Sequence, residues 1–158
     1  SRSVEFRTDD LKAMRSALEF ARQSLLSQGP DVPVGAVVIG PDGETLAASA
    51  NRREALSDPT AHAEVVVLRE AAAARGDWDL SGCSLVVTLE PCPMCAGAAY
   101  LSRVDRVVFG AWNDDYGAAG SAWDLLRDRR LSHRPEVVGG VLADECGAVV
   151  REFFERLR

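Results

Sequence analysis

The chain has 158 residues, 47% of them hydrophobic, and a formal net charge of −6, with an isoelectric point near 4.9. That length suits one domain over residues 1–158 with a sizeable buried core. The acidity argues against broad, nonspecific nucleic-acid binding, though not against a local basic patch.

Asp9 or Asp10 is placed to cap an amphipathic helix over 9–27, in which Leu11, Met14, Ala17, Leu18, Ala21 and Leu25 recur at helical spacing before Gly29-Pro30 ends it. A β-branched run at 32–39, the turn Pro41-Asp42-Gly43 and a second run at 44–50 predict a β-hairpin. Polar residues 51–58 read as a loop. Asp58-Pro59 reads as cap and first residue of a helix over 59–75, closed by Gly76. The apolar run 83–89, between Gly82 and Pro91, predicts a buried strand. A helix over 93–102, a strand over 105–110, a loop over 112–120, a short helix near 122–129 and a strand over 136–142 follow. The closing helix, 144–158, carries Val149, Val150, Phe153, Phe154 and Leu157 as its apolar stripe. Strands alternating with helices predict a three-layer α/β/α sandwich.

No run of about 18 apolar residues is present to span a membrane. The first residues, Ser1-Arg2-Ser3-Val4-Glu5, do not lead into an apolar stretch, so a signal peptide is not expected and a cytoplasmic location is. In that setting the four cysteines, Cys83, Cys92, Cys95 and Cys146, suggest metal or catalysis rather than disulfides.

Two short segments carry the chemistry: His62-Ala63-Glu64 and Pro91-Cys92-Pro93-Met94-Cys95. Imidazole and thiolate are zinc ligands, and Cys92-x-x-Cys95 has zinc spacing. Three residues apart in a first helical turn, the two cysteines share a face, with Pro93 suited to the first helical position. His62 also lies near a helix start, so two helix N-termini are expected to converge on one metal and favour thiolates there. Three protein ligands leave a tetrahedral position open, the mark of a catalytic rather than a structural site. A water in that position is acidified by the metal. Glu64, two residues from His62, is placed to take its proton and return it to the substrate. Taken alone, Cys-x-x-Cys also fits a redox pair or half a structural zinc site. The structural reading needs a fourth ligand, and Cys83, Cys146 and His133 have no matching spacing. A redox pair needs no distant His-x-Glu.

At these residues the sequence resembles the cytidine/deoxycytidylate deaminase superfamily, and within it the bacterial tRNA-specific adenosine deaminase family. The likeness runs over nearly the whole chain. Its landmarks are Val32-Pro33-Val34-Gly35-Ala36-Val37, Asn51-Arg52, Asp58-Pro59-Thr60-Ala61-His62-Ala63-Glu64, Thr88-Leu89-Glu90-Pro91-Cys92, Met94-Cys95-Ala96-Gly97-Ala98, residues 106–111, residues 117–121 and His133-Arg134. The resemblance implies a five-stranded mixed sheet of the cytidine-deaminase-like fold and a homodimer with one zinc ion per subunit. It also implies hydrolysis of the wobble adenosine in a tRNA anticodon stem-loop, of tRNA-Arg type, to inosine. By resemblance His62, Cys92 and Cys95 are the zinc ligands and Glu64 the proton shuttle. Asn51 bonds the target nucleoside, the Ala63 N–H holds the base edge, and Val34 lines the pocket. An anticodon loop is already single-stranded, so extruding its adenosine costs little. Phosphate binding by an acidic chain needs local charge, which Arg127, Arg129, Arg130 and Arg134 supply in one cluster and Arg151, Arg156 and Arg158 on the closing helix. A solvated face is the competing reading for each arginine.

Three positions depart from the family pattern. Asn113 stands where Asp is usual, Ser132 where Asn is usual, and Ala50 where a larger residue often precedes Asn51. The loss of a carboxylate at Asn113 is expected to weaken a hydrogen bond to ribose and to ease repulsion with phosphate, favouring tolerance of single-stranded DNA. The alternatives to this function are a deaminase of a free guanine- or cytosine-type base or nucleoside, and a catalytically silent zinc-binding module.

Overall fold

Alternating side chains in three central strands sort the chain into layers. In the computed structural model, which describes residues 6–158, these strands are β1 (Gly35–Ile39), β3 (Ser84–Leu89) and β4 (Arg106–Ala111), with β2 (Thr45–Ala50) and β5 (Glu136–Val138) at the edges. The sheet order is β2-β1-β3-β4-β5. β1 pairs antiparallel with β2 and β3, whereas β3, β4 and β5 run parallel. Val37, Val86 and Val108 face one side, against helices α1 (Thr8–Leu26) and α4 (Ala143–Arg156). Ala36, Val38, Leu85, Val87, Val107 and Phe109 face the other, against α2 (Ala63–Arg75) and α3 (Pro93–Leu101). The expected three-layer sandwich with a five-stranded mixed sheet is the fold. No described helix is long and apolar enough to cross a membrane.

Two features set how the layers meet. Gly35 opens β1 directly beneath α1, where a Cβ would overlap the Ala17 carbonyl oxygen, so only glycine permits this approach. At the amino end of the parallel strands Arg106 makes a two-pronged pair with the buried Asp10 of α1, both contacts 2.7 Å, and a 2.9 Å bond to Glu136 of β5. This fork geometry matches guanidinium to carboxylate and fixes α1 on the sheet.

Several expected boundaries move for local reasons. The first strand begins at Gly35 rather than residue 32, because Pro33 has no N–H and Val34 N–H turns back to the Val32 carbonyl. Asp58-Pro59 does not start a helix. The Asp58 carboxylate accepts from the N–H and hydroxyl of Thr60, both at 2.8 Å, and Arg52 N–H takes the Ala61 carbonyl. The helix begins one turn later, with His62 as its cap. The short helix expected near 122–129 reduces to one 3-10 turn, Leu125–Arg127. The last strand stops at Val138, where Gly139-Gly140 breaks it with a positive φ of 88° at Gly140.

Candidate active site

Two helix starts meet at the carboxyl end of β3. His62 caps α2, Cys92 caps α3, Pro93 occupies its first turn and Cys95 lies one turn in. The His62 Nδ1 atom stands 3.6 Å from Cys92 Sγ and 3.5 Å from Cys95 Sγ. Zinc bonds of about 2.3 Å to sulfur and about 2.0 Å to nitrogen, meeting at a tetrahedral angle, separate the two atoms by about 3.5 Å. The three side chains therefore fit one zinc ion. Among the described residues this group has three members. Glu64 is outside it, and so are the buried Cys83 and Cys146. The donor set is that of an open catalytic site, and the half-structural reading of Cys-x-x-Cys has no fourth ligand.

One thiolate is preformed at the site. A hydrogen bond from the Cys95 thiol holds Cys92 at about 4, well into the thiolate range, against the opposing effect of burial. Cys95 is pushed up in turn, because it donates to Cys92 and is buried. His62 is raised by its contact with Cys92. Burial pushes the Glu64 carboxyl above its ordinary value.

These groups open onto a cleft of about 710 Å³. Val34, Asn51, His62, Ala63, Glu64, Cys92 and Asn113, all singled out from the sequence, line it, and Cys95 sits buried behind. The Asn51 amide donates to the Val32 carbonyl at 3.2 Å and accepts from Arg53 N–H at 3.2 Å. One of its two N–H groups is left for a ligand. The Asn113 side-chain oxygen accepts from Tyr116 N–H at 3.2 Å, so the residue shapes its own loop as well as the wall.

The arginines are not brought to the cleft. Arg127 is spent on Asp124 and the Ala119 carbonyl, and Arg130 on Asp128. Arg156 donates to the Leu25 carbonyl and pairs with Glu152. Arg129, Arg134, Arg151 and Arg158 are exposed. None of the seven lines the cleft; the guanidinium that does is Arg53. The cleft also takes up Trp112, Tyr116 and Phe154. Phe154 read as part of an apolar stripe, yet it is 48% exposed, while Val149 and Phe153 carry the packing of α4.

Sequence reasoning missed two anchoring carboxylates. The buried Asp31 accepts from Glu54 N–H at 2.7 Å and Ala55 N–H at 3.2 Å, holding the loop after Asn51. Glu90, fully buried, accepts from Asn113, Ala119 and Ser121 N–H and from the Ser121 hydroxyl, holding the loop that carries Trp112 to Tyr116. An acid beside a turn ordinarily reads as a solvated residue. The available signal was a Glu closing an apolar strand immediately before Pro91-Cys92.

Residues 7–111 match the family model described as "cytidine and deoxycytidylate deaminase zinc-binding region". The chain is 46% identical to the tRNA-specific adenosine deaminase of Bacillus subtilis over 151 residues, 96% of this chain and 92% of that protein. Among solved structures it is similar to one from a study of A-to-I editing by tRNA:A34 deaminases at the wobble position of transfer RNA, with 38% identity and a TM-score of 0.82 over 87% of this chain and 98% of that one. It is also similar to the guanine deaminase from Nitrosomonas europaea, with 30% identity and a TM-score of 0.75 over 96% of this chain and 86% of that one.

Proposed function

The chain belongs to the cytidine and deoxycytidylate deaminase family of zinc-dependent hydrolytic enzymes, and from that premise we propose that it deaminates the wobble adenosine of a tRNA, of tRNA-Arg type, to inosine. The observation that carries the reading is the His62, Cys92 and Cys95 triangle, sized for zinc, with Glu64 outside the ligand set on the wall of the same cleft. A likeness of 46% identity to a tRNA-specific adenosine deaminase, over nearly the whole of both chains, favours the polynucleotide over a free base.

The reaction replaces the exocyclic amino group of adenine with oxygen from water and releases ammonia. His62, Cys92 and Cys95 would hold a zinc ion, which would supply the Lewis acidity that acidifies a water at the site. Glu64 takes a proton from the water onto its carboxylate, delivers it to a ring nitrogen, and then assists the departing amine. Its burial raises the proton affinity of the carboxyl, which favours accepting the proton. Asn51 and the Ala63 N–H orient the flipped base, and Val34 packs against it. In this reading residues 1–158 form one deaminase domain, working as a homodimer. The exposed Arg129, Arg134, Arg151 and Arg158, rather than the paired Arg127, Arg130 and Arg156, meet phosphates outside the cleft.

An RNA anticodon stem-loop with adenosine at the wobble position should be converted to inosine, read by sequencing, while ammonia release from free adenosine, guanine and cytosine stays at background. Ammonia from guanine without conversion in RNA would establish the guanine deaminase reading instead. Inactivity on every substrate with full zinc content would leave a silent zinc module. Asn113→Asp, tested on matched RNA and DNA hairpins, should lower DNA conversion several-fold relative to RNA, since it restores a carboxylate acceptor for the ribose hydroxyl that DNA lacks. An unchanged RNA-to-DNA ratio would remove Asn113 from substrate choice.

A further inference from the structure

Glu90 is 1% exposed, and each of its four hydrogen-bond partners is an uncharged donor. Burying a carboxylate without a cation is costly unless its oxygens are satisfied. Here all the satisfaction comes from one place. Asn113 N–H reaches one oxygen at 3.1 Å, Ala119 and Ser121 N–H reach the other at 3.0 Å each, and the Ser121 hydroxyl completes the set. Every donor lies on the loop 112–121. The loop is shaped to receive the group, because a Cβ at Gly117 would collide with the Glu90 carboxyl and with the Asn113 carbonyl.

The backbone around Glu90 has two bonds that do not involve the carboxylate, one of them from the same loop. Glu90 N–H donates to the Ala111 carbonyl at 2.8 Å, and Ala118 N–H donates to the Pro91 carbonyl at 2.7 Å. Those bonds fix the approach to Cys92 without using the carboxylate. The carboxylate therefore acts on the loop, and the loop supplies Trp112, Asn113, Asp114, Asp115 and Tyr116 to the cleft.

We propose that Glu90 is a positioning residue: its carboxylate clamps loop 112–121 as one wall of the cleft and thereby governs how tightly a polynucleotide is held, while zinc binding and proton transfer proceed without it. The proposal rests on the tRNA-deaminating reading for its kinetic test and is independent of that reading for its structural one. In Glu90→Gln one carboxylate oxygen becomes an N–H₂ group facing N–H donors, so the clamp opens at nearly constant volume. KM for the anticodon stem-loop should rise about tenfold or more, the equivalent of one or two lost hydrogen bonds. The kcat should stay within about threefold, and zinc should remain at the wild-type stoichiometry. Amide hydrogen exchange should accelerate in 112–121 and remain slow in β3 and β4. Ser121→Ala, which removes one donor and adds no new group, should move KM and exchange the same way to a smaller extent, and it decides the matter if Glu90→Gln does not fold. Unchanged KM in both variants, or a collapse of kcat with loss of zinc, overturns the proposal. If the wild type converts no RNA, the functional reading fails, and hydrogen exchange alone then decides whether the clamp exists. Exchange in 112–121 that matches wild type would overturn it.

Discussion

Glu64→Gln is expected to keep one zinc per subunit and lose turnover by about 10²–10⁴-fold. The substitution preserves the shape of a buried side chain at the second residue of α2. It leaves His62, Cys92 and Cys95 untouched, and these three form the ligand group without Glu64. An amide cannot accept the proton of water and pass it on, so both transfers assigned to Glu64 fail together. Metal content by atomic absorption and single-turnover conversion of the stem-loop check the two halves of this expectation. Zinc lost in proportion to activity would make Glu64 a support for the metal, and substantial turnover with full zinc would take Glu64 out of the chemistry.

Cys95→Ala is expected to leave zinc well below one per subunit after dialysis and to abolish turnover. Cys95 is fully buried behind the cleft, and removal of one sulfur leaves two ligands where three fit. The fold itself should persist, because Cys95 belongs to neither of the core clusters packed against the two sheet faces. Its thermal midpoint should fall. At free zinc a thousand times its dissociation constant, binding contributes about 4 kcal/mol to stability, and for a chain of this size that corresponds to a shift of about 10 °C. Wild type stripped by a chelator should melt with the variant and recover on addition of zinc, whereas the variant should not. A variant that keeps stoichiometric zinc and wild-type melting would mean that Cys95 is not a ligand.

The cysteine half of the metal site was legible because it is local: Cys92 and Cys95 share one helical turn. His62 lies 30 positions from Cys92 and was tied to it by the pairing of a His-x-Glu with a Cys-x-x-Cys, whereas the cap signal placed the start of its helix at Asp58 instead of His62. The layers were legible because β1, β3 and β4 are apolar on both faces and α1 is amphipathic. What spacing could not show was long-range bonding. The Asp58 cap signal was diverted by Thr60 and by Arg52 capturing the Ala61 carbonyl. The four bonds to Glu90 come from residues 23 to 31 positions away. The arginine cluster looked like one patch in the sequence, but Arg127 and Arg130 are each bound to a neighbouring aspartate.

The bidentate contact of Arg106 with Asp10 lies where β4 begins, and the cleft with the His62, Cys92 and Cys95 group lies past where β3 ends. The molecule thus has two poles, one given over to cohesion and the other to reactivity, with a strand's length between them. Heat tolerance can be tuned at the first by adjusting its ion pairs while substrate range is altered at the second, and changes made at the two ends should combine additively.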